Sequence, residues 1–355
     1  MKKIFWSLLV TGLGGMSSAS LALEWKEAVE LKDGNEWQWV DVPESMCRDG
    51  SSTGFYLRQG SKAEKLVIFL EGGGACFNDA TCGINPENYD KTPPPNTGIF
   101  DSSRLENPLK DWNVAYIPYC TGDVHGGNQE NVYVSNRYQN QNFVGYTNVT
   151  RFMERIAPTF SHVDYVLLTG VSAGGIGALY NHDQVQSFFE TTPVDMLDDS
   201  GIAMTDEYMA PCLQNLWREL WGLTNTLPFD CLDCTNESGG GLFNLATYLV
   251  DKYPDRNFAY ASTLSDQVIR SFMGYGRNNC SVTFPYMPSW AFRAGAMQMR
   301  DEILNGAASF YFRDGSDHTS LRGNEFYERI SQDVLMPNWV GDVINGEGSN
   351  LGPQN

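Results

Sequence analysis

The sequence predicts an α/β protein: a mostly parallel central sheet with helices on both faces. Three observations lead there. Short apolar runs rich in β-branched residues recur along the chain, amphipathic stretches of helical length separate them, and glycine clusters mark the turns between. Residues 65–70, Lys-Leu-Val-Ile-Phe-Leu, have the length and composition of a strand buried on both faces and run into Gly72-Gly73-Gly74. A second strand is expected over 112–119, and Pro93-Pro94-Pro95 makes the connection between the two a loop. A helix over 147–160 and a strand over 163–169 follow. A tight glycine turn then leads into a helix over 173–189. Further along, strands are expected at 193–197, 257–262 and 307–313, with helices at 207–222, 266–273 and 290–304. The helix-rich stretch near 205–250 is an insert expected to form a cap.

Lys2 and Lys3 precede an apolar run and a patch of small residues ending at Ala22, the pattern of a cleavable secretory signal peptide over residues 1–22. The run is too short and too glycine-rich to span a bilayer. Residues 23–355 carry no linker, repeat or low-complexity tract and are expected to form one domain, monomeric and either secreted or periplasmic. Export removes the reducing buffers that keep thiols free, so the eight cysteines read as a disulfide framework. Cys231 and Cys234 have a zinc-like spacing but no second pair and no nearby histidine, which favours a structural bridge over a metal site. A formal charge of −19, from 43 acidic against 24 basic residues, argues against nucleic acid or an anionic membrane surface as a partner. Asn148, Asn236 and Asn279 head N-glycosylation sequons.

The chemistry centres on Gly170-Val171-Ser172-Ala173-Gly174, a G-x-S-x-G sequence between an apolar strand and a helix. In that setting it is the nucleophile elbow of an α/β-hydrolase: the turn strains the serine, lifts its Oγ above the sheet, and needs glycines where side chains would strike the neighbouring strand and helix. Four histidines compete to be its base. His162 precedes the strand that feeds Ser172, and His182 lies well down the following helix. His125 could reach the site only by inverting the serine–acid–histidine order of this fold. His318, in the loop after the 307–313 strand, is where the base belongs. The orienting acid should lie between Ser172 and His318 on a loop leaving a strand; Asp266 fits, ahead of Asp198, Asp199 and Asp317, and its alternative role is to cap the following helix. Gly72-Gly73-Gly74 is placed to supply oxyanion donors together with the N–H of Ala173.

These segments carry a resemblance to the pectin acetylesterase and Notum family of carboxylesterases, running from about Cys47 to His318. The shared features are Cys47-Arg48-Asp49-Gly50-Ser51 with Gly54-Phe55-Tyr56, Leu70-Glu71-Gly72-Gly73-Gly74-Ala75-Cys76-Phe77-Asn78 with Cys82, Tyr119-Cys120-Thr121-Gly122-Asp123, and Thr169 to Gly175 around the serine. The resemblance implies an α/β-hydrolase fold without metal or organic cofactor. It also implies a triad of Ser172, Asp266 and His318, an oxyanion hole from Gly73, Gly74 and Ala173, and disulfides Cys76–Cys82 and Cys47–Cys120. Cys212, Cys231, Cys234 and Cys280 then have three possible pairings. Three departures lie around the acyl pocket: family members often carry an aromatic residue where this chain has Gly74, the loop Asp123-Val124-His125-Gly126-Gly127-Asn128 differs from theirs, and the surroundings of His318 match the plant enzymes and Notum poorly.

The expected function is hydrolysis of O-acyl esters, O-acetyl above all, on a polysaccharide, with hydrolysis of a longer-chain acyl ester or a small ester as the alternative. A catalytically inactive fold used to bind carbohydrate is the alternative class, and it has no need of a complete set of nucleophile, acid, base and donors. Trp217, Trp221, Trp290 and Trp339 are candidates for sugar stacking, although a chain of this size needs most of its aromatic residues in the core.

Overall fold

Parallel strands buried on both faces require long, nearly uninterrupted apolar segments, and the centre of the sheet is made of them. The computed structural model describes residues 26–32 and 34–354; the expected leader over residues 1–22 lies outside them. Its main sheet has eight strands. They are β1 (Gln38–Met46), β2 (Ser52–Arg58), β3 (Lys62–Leu70), β4 (Trp112–Ile117), β5 (Tyr165–Val171), β6 (Val194–Asp199), β7 (Phe258–Thr263) and β8 (Ser309–Arg313). They lie in the order β1-β2-β4-β3-β5-β6-β7-β8. Only β2 is antiparallel to its neighbours, and β4 through β8 pair in parallel. This is the sheet of an α/β-hydrolase.

Among the described residues seven helices of nine or more residues accompany it: α1 (Gly145–Thr159), α2 (Ala173–Phe189), α3 (Pro211–Trp221), α4 (Asn244–Lys252), α5 (Gln267–Arg277), α6 (Ser289–Gln298) and α7 (Met336–Ile344). Alternate residues of the central strands feed two cores. Leu66, Ile68, Leu70, Val166 and Leu168 join the core that also holds Val149 and Ile156 of α1 and Leu179 of α2. Val67, Phe69 and Leu167 face the other way, against Trp339 and Val340 of α7 and Phe100.

The sequence left β1 and β2 unassigned. Within β1 the alternation of buried Val40 and Val42 about exposed Asp41 ends at Pro43, and its register with β2 breaks between Val42 and Met46. An edge strand tolerates that proline where a central one would lose a ladder bond. Other elements shift at their ends for local reasons. The strand expected at 112–119 stops before Pro118, and the helix expected at 207–222 begins at Pro211, which takes the first-turn position and needs no N–H partner. Gly222, at φ 73°, ends that helix in the left-handed conformation. The helix expected at 290–304 starts at Ser289, and its last turn, Met299–Ile303, widens to a π-helix.

Four disulfides form: Cys47–Cys120, Cys76–Cys82, Cys212–Cys280 and Cys231–Cys234. They suit an oxidising compartment outside the cytosol. Among the described residues no helix is long and apolar enough to cross a membrane. Asn148 is a poor sequon: it is buried, its Oδ1 accepts the Met46 N–H and its Nδ2 donates to the Met46 carbonyl, which leaves no room for a glycan.

Cys47–Cys120 joins the end of β1 to the loop after β4 across 73 residues of chain. Closing so long a loop restricts the unfolded chain strongly, so replacing both cysteines by serine is expected to lower stability in urea titrations by about 2–4 kcal/mol.

Candidate active site

A serine at the end of β5 can reach above the sheet only if the backbone turns sharply into α2, and Ser172 does so at φ 58° and ψ −121°. A non-glycine residue held there is strained, and its surroundings fix it. Its N–H donates to the Asp199 carbonyl at 2.7 Å, and its own carbonyl accepts the Ile176 N–H at 3.1 Å to open the helix. The flanking glycines are needed for space: a Cβ on Gly174 would lie 2.0 Å from the Leu70 carbonyl oxygen, and one on Gly170 would lie 2.3 Å from that of Gly174.

Asp266 follows β7 and is fully buried. Its two roles, which the sequence set against each other, fall to different oxygens. Oδ1 accepts the N–H groups of Val268 and Ile269 at 2.9 and 3.0 Å and caps α5, while Oδ2 lies 2.7 Å from Nδ1 of His318. The carboxylate can only accept, so Nδ1 carries the proton and Nε2 is left as the basic nitrogen.

Among the described residues, Asp266 is the acid hydrogen-bonded to the His318 ring. Asp317 pairs with Arg313 and Arg329. Asp198 is wholly buried over Gly175 and Gly201, and desolvation, with Asp199 beside it, pushes its pKa well up. Asp199 accepts the N–H groups of Ser320 and Leu321 on one carboxylate oxygen, at 2.6 and 2.8 Å.

The other histidines also have structural places. His162 is exposed ahead of β5. His182 is buried with Nε2 2.8 Å from the Val194 carbonyl, and burial pushes its pKa down to about 4. His125, equally desolvated and likewise pushed down to about 4, lies with Nε2 2.8 Å from the carbonyl of Glu71. A carbonyl only accepts, so a neutral imidazole donates from Nε2 and pins the residue that precedes the glycine triplet.

That triplet is fastened from several sides. The Glu71 carboxylate meets Arg322 at 2.9 Å and accepts the Tyr119 N–H at 3.2 Å. The Gly73 carbonyl accepts from Asn85 at 2.8 Å and the Gly74 carbonyl from the Tyr119 hydroxyl at 2.9 Å. Among the described residues the N–H groups of Gly73 and Gly74 have no hydrogen-bond partner. Ala173, the first residue of α2, likewise has an N–H with no acceptor within its helix. These are the three groups that the sequence put forward as oxyanion donors. Gly74 sits at φ 81°, and a Cβ there would meet the Phe272 ring at 3.1 Å. An aromatic ring from α5 thus stands over Gly74.

Beside Ser172 opens a recess walled by Val124, Ile176, Trp217, Ile269, Phe272 and Met273, with a cavity volume of about 20 Å³. Sequence reasoning set the loop with Val124 around the acyl pocket and named Trp217 as a substrate-stacking candidate, but it missed Ile176, Ile269, Phe272 and Met273, together with the parts played by Asp199, Glu71, His125 and Arg322. The only available signals were positional: Glu71 directly before the triplet, and Arg322 four residues after His318. Of the four tryptophans proposed for sugar stacking, Trp217, Trp221 and Trp339 are core residues and Trp290 is exposed. Trp221 donates its indole N–H to the Cys76 carbonyl at 3.0 Å, so α3 is tied down over the loop that follows the triplet.

Sheet order and serine turn together define the class, an α/β-hydrolase. Residues 38–271 match the pectinacetylesterase family, and the chain belongs to this family. It is 32% identical over 167 residues to the palmitoleoyl-protein carboxylesterase notum2 of Xenopus laevis, which spans 44% of this chain and 33% of that protein. Over 169 residues it is 32% identical to human palmitoleoyl-protein carboxylesterase NOTUM (44% and 33%). The Drosophila melanogaster NOTUM is 30% identical over 211 residues (52% and 31%). The matched part is therefore about a third of the length of these relatives. A solved structure of the Wnt deacylase Notum from Drosophila shares the fold, with a TM-score of 0.67 at 20% identity over 89% of this chain and 96% of that one. His318 lies beyond the residues matched to the family.

The divided duties of Asp266 separate by substitution. Asp266→Asn keeps an oxygen for the helix cap but offers Nδ1 an amide, so ester turnover is expected to fall by about 10⁴-fold with stability nearly unchanged. Asp266→Ala should add a stability loss of about 1 kcal/mol for the missing cap, read by urea unfolding beside the esterase assay.

His182 gives a pH dependence. Its folded pKa, about 4, is below the ordinary 6.5, so between those values the unfolded chain holds more protons and this stabilising contribution shrinks as the pH falls. His182→Leu lacks it. The stability deficit of that variant against wild type should therefore narrow between pH 7 and pH 5, by at most about 2 kcal/mol; a constant or widening deficit contradicts the assignment.

Proposed function

We propose that this protein is an exported serine esterase that removes short acyl groups, acetyl above all, from hydroxyls of a substrate such as an acetylated polysaccharide. The observation that carries the reading is the recess beside Ser172. Its walls are apolar and its volume, about 20 Å³, is little more than a single water requires. A methyl group fits such a space, whereas an extended acyl chain has to part its walls or run out through its open side. The leader in the sequence and the four disulfides support export.

In this mechanism Ser172 Oγ attacks the ester carbonyl while His318 Nε2 takes its proton. Asp266 holds the ring in the tautomer that leaves Nε2 free, and steadies the imidazolium as it forms. Negative charge develops on the carbonyl oxygen, and the N–H groups of Gly73, Gly74 and Ala173, with no other acceptor to satisfy, stabilise it without having to reorganise. His318 then passes its proton to the leaving alcohol. Water, activated by the same nitrogen, releases the acid.

A longer acyl chain is the second reading, favoured by the wholly apolar wall and by the palmitoleoyl group in the names of the Notum relatives. Against it stand Trp217 and Phe272, on helices α3 and α5, with Cys212–Cys280 tying α3 to the segment just after α5.

Hydrolysis of 4-nitrophenyl acetate, octanoate and palmitate by the purified protein and by Ser172→Ala tests both. We expect Ser172→Ala to lose on the order of 10⁴-fold or more in kcat. Acetate should exceed octanoate by roughly tenfold in kcat/KM, as a pocket that rejects extra methylenes allows. Faster turnover of palmitate would reverse the assignment of acyl length, and unchanged activity in Ser172→Ala would remove the serine from the mechanism.

A further inference from the structure

We propose that Asp199 is a positioning residue that locks the nucleophile turn and the histidine loop into one unit, and that turnover by the triad proposed above depends on this lock. The residue ends β6, between the strand that delivers Ser172 and the one that precedes Asp266. Its main-chain carbonyl accepts the Ser172 N–H at 2.7 Å, at the strained residue itself. Its carboxylate faces the loop that carries His318, where Oδ2 accepts the N–H groups of Ser320 and Leu321 at 2.6 and 2.8 Å. Oδ1 accepts the Ser200 hydroxyl at 3.0 Å, and that hydroxyl oxygen in turn accepts the Thr319 N–H at 3.2 Å.

Three consecutive N–H groups directly after His318 thus converge on two adjacent residues of one strand end. Successive main-chain N–H groups turned to one side make a concavity suited to an anion, and here the anion is supplied from within the chain. Thr319 and Ser200 both have positive φ, 62° and 67°, as does Ser172 at 58°. Three non-glycine residues in that region mark backbone that the surrounding contacts must hold in place.

The carboxylate is 1% exposed, so it spends its hydrogen-bonding capacity on this loop and not on solvent. Asp266 fixes the rotation of the His318 ring; Asp199 fixes where the ring's backbone stands relative to Ser172. The first task needs a partner for Nδ1. The second needs a rigid connection between β5 and the segment after β8, and Asp199 is bonded to both.

The test compares Asp199→Ala, Asp199→Asn and Ser200→Ala in the full protein on 4-nitrophenyl acetate, with Ser172→Ala and His318→Ala as references. Folding is monitored by circular dichroism and by the absence of free thiols. In Asp199→Asn the amide oxygen can still accept both loop N–H groups while the amide nitrogen donates to Ser200 Oγ. We expect Asp199→Ala to lose on the order of 10²-fold in kcat, as displacement of a reacting group by about an ångström does, with KM within about twofold. Asp199→Asn should recover to within about threefold of wild type.

Ser200→Ala removes one of the three loop contacts and should cost roughly tenfold in kcat; it decides the question if Asp199→Ala does not fold. The proposal is overturned if folded Asp199→Ala, or in its absence Ser200→Ala, keeps kcat within about twofold of wild type. It is equally overturned if KM carries the loss, or if Asp199→Asn is no better than Asp199→Ala. Activity surviving in Ser172→Ala or His318→Ala overturns the triad instead, a separate result in the same assay.

Discussion

A serine backbone forced to φ 58° at the end of a buried strand is the constraint from which the neighbouring architecture follows. An L-residue does not remain there unaided. The conformation therefore calls for a hydrogen-bonded N–H, glycines wherever the turn presses on its neighbours, and a helix that starts at once to absorb the carbonyls. Each requirement is met by a different part of the chain: Asp199 accepts the N–H, Gly170 and Gly174 give clearance from β3 and the first helical turn, and Ile176 closes the first helical bond. The parallel sheet is what brings these parts to one edge, because the carboxyl ends of β3, β5, β6, β7 and β8 all point the same way.

The loops at that edge behave as one body because polar groups cross between them. Glu71 joins the glycine triplet to Arg322 of the histidine loop, His125 holds the same residue by its carbonyl, and Asp266 and Asp199 hold the histidine loop from β7 and β6. Burial sets the character of these groups. It keeps His125 neutral and so able to donate from one nitrogen, and it raises the Asp199 carboxyl, an effect opposed by the N–H groups of Leu321 and Ser320. A loop held by charge-assisted bonds in a dry setting gives up little when charge appears at the reacting carbonyl, which is the property that oxyanion stabilisation needs.

The recess beside Ser172 has a different origin. It is walled by α3 and α5 as well as by the elbow, and these helices come from the segments after β6 and after β7. Trp217 stacks on Trp221 at 4.8 Å between ring centres, Trp221 is bonded to the Cys76 carbonyl, and Cys212–Cys280 joins α3 to the segment just after α5. Phe272 closes over Gly74. The walls of the recess thus come from side chains distant in the chain, and the size of the space depends on how those helices seat.

Sequence alone determined the parts governed by local rules. Strand runs such as 65–70 and the G-x-S-x-G turn are legible because burial on both faces and a strained turn each demand particular residues at fixed spacing. The CxxC bridge and the helix cap at Asp266 follow from chemistry within a few residues. Weak periodicity hid β1, an edge strand interrupted by Pro43, while β2, buried from Thr53 to Arg58, includes Thr53, Gly54 and Arg58 and so shows no continuous apolar run. What only the tertiary structure decided are the relations between segments far apart in sequence: which oxygen of Asp266 faces His318, that Asp199 serves the histidine loop and not the imidazole, the pairing of Cys212 with Cys280, and the narrowness of the recess. The physical reason is that a hydrogen bond or a packed wall between residues 199 and 320, or between 74 and 272, is fixed by the register and twist of the sheet and the seating of helices, and neither partner's local sequence records it.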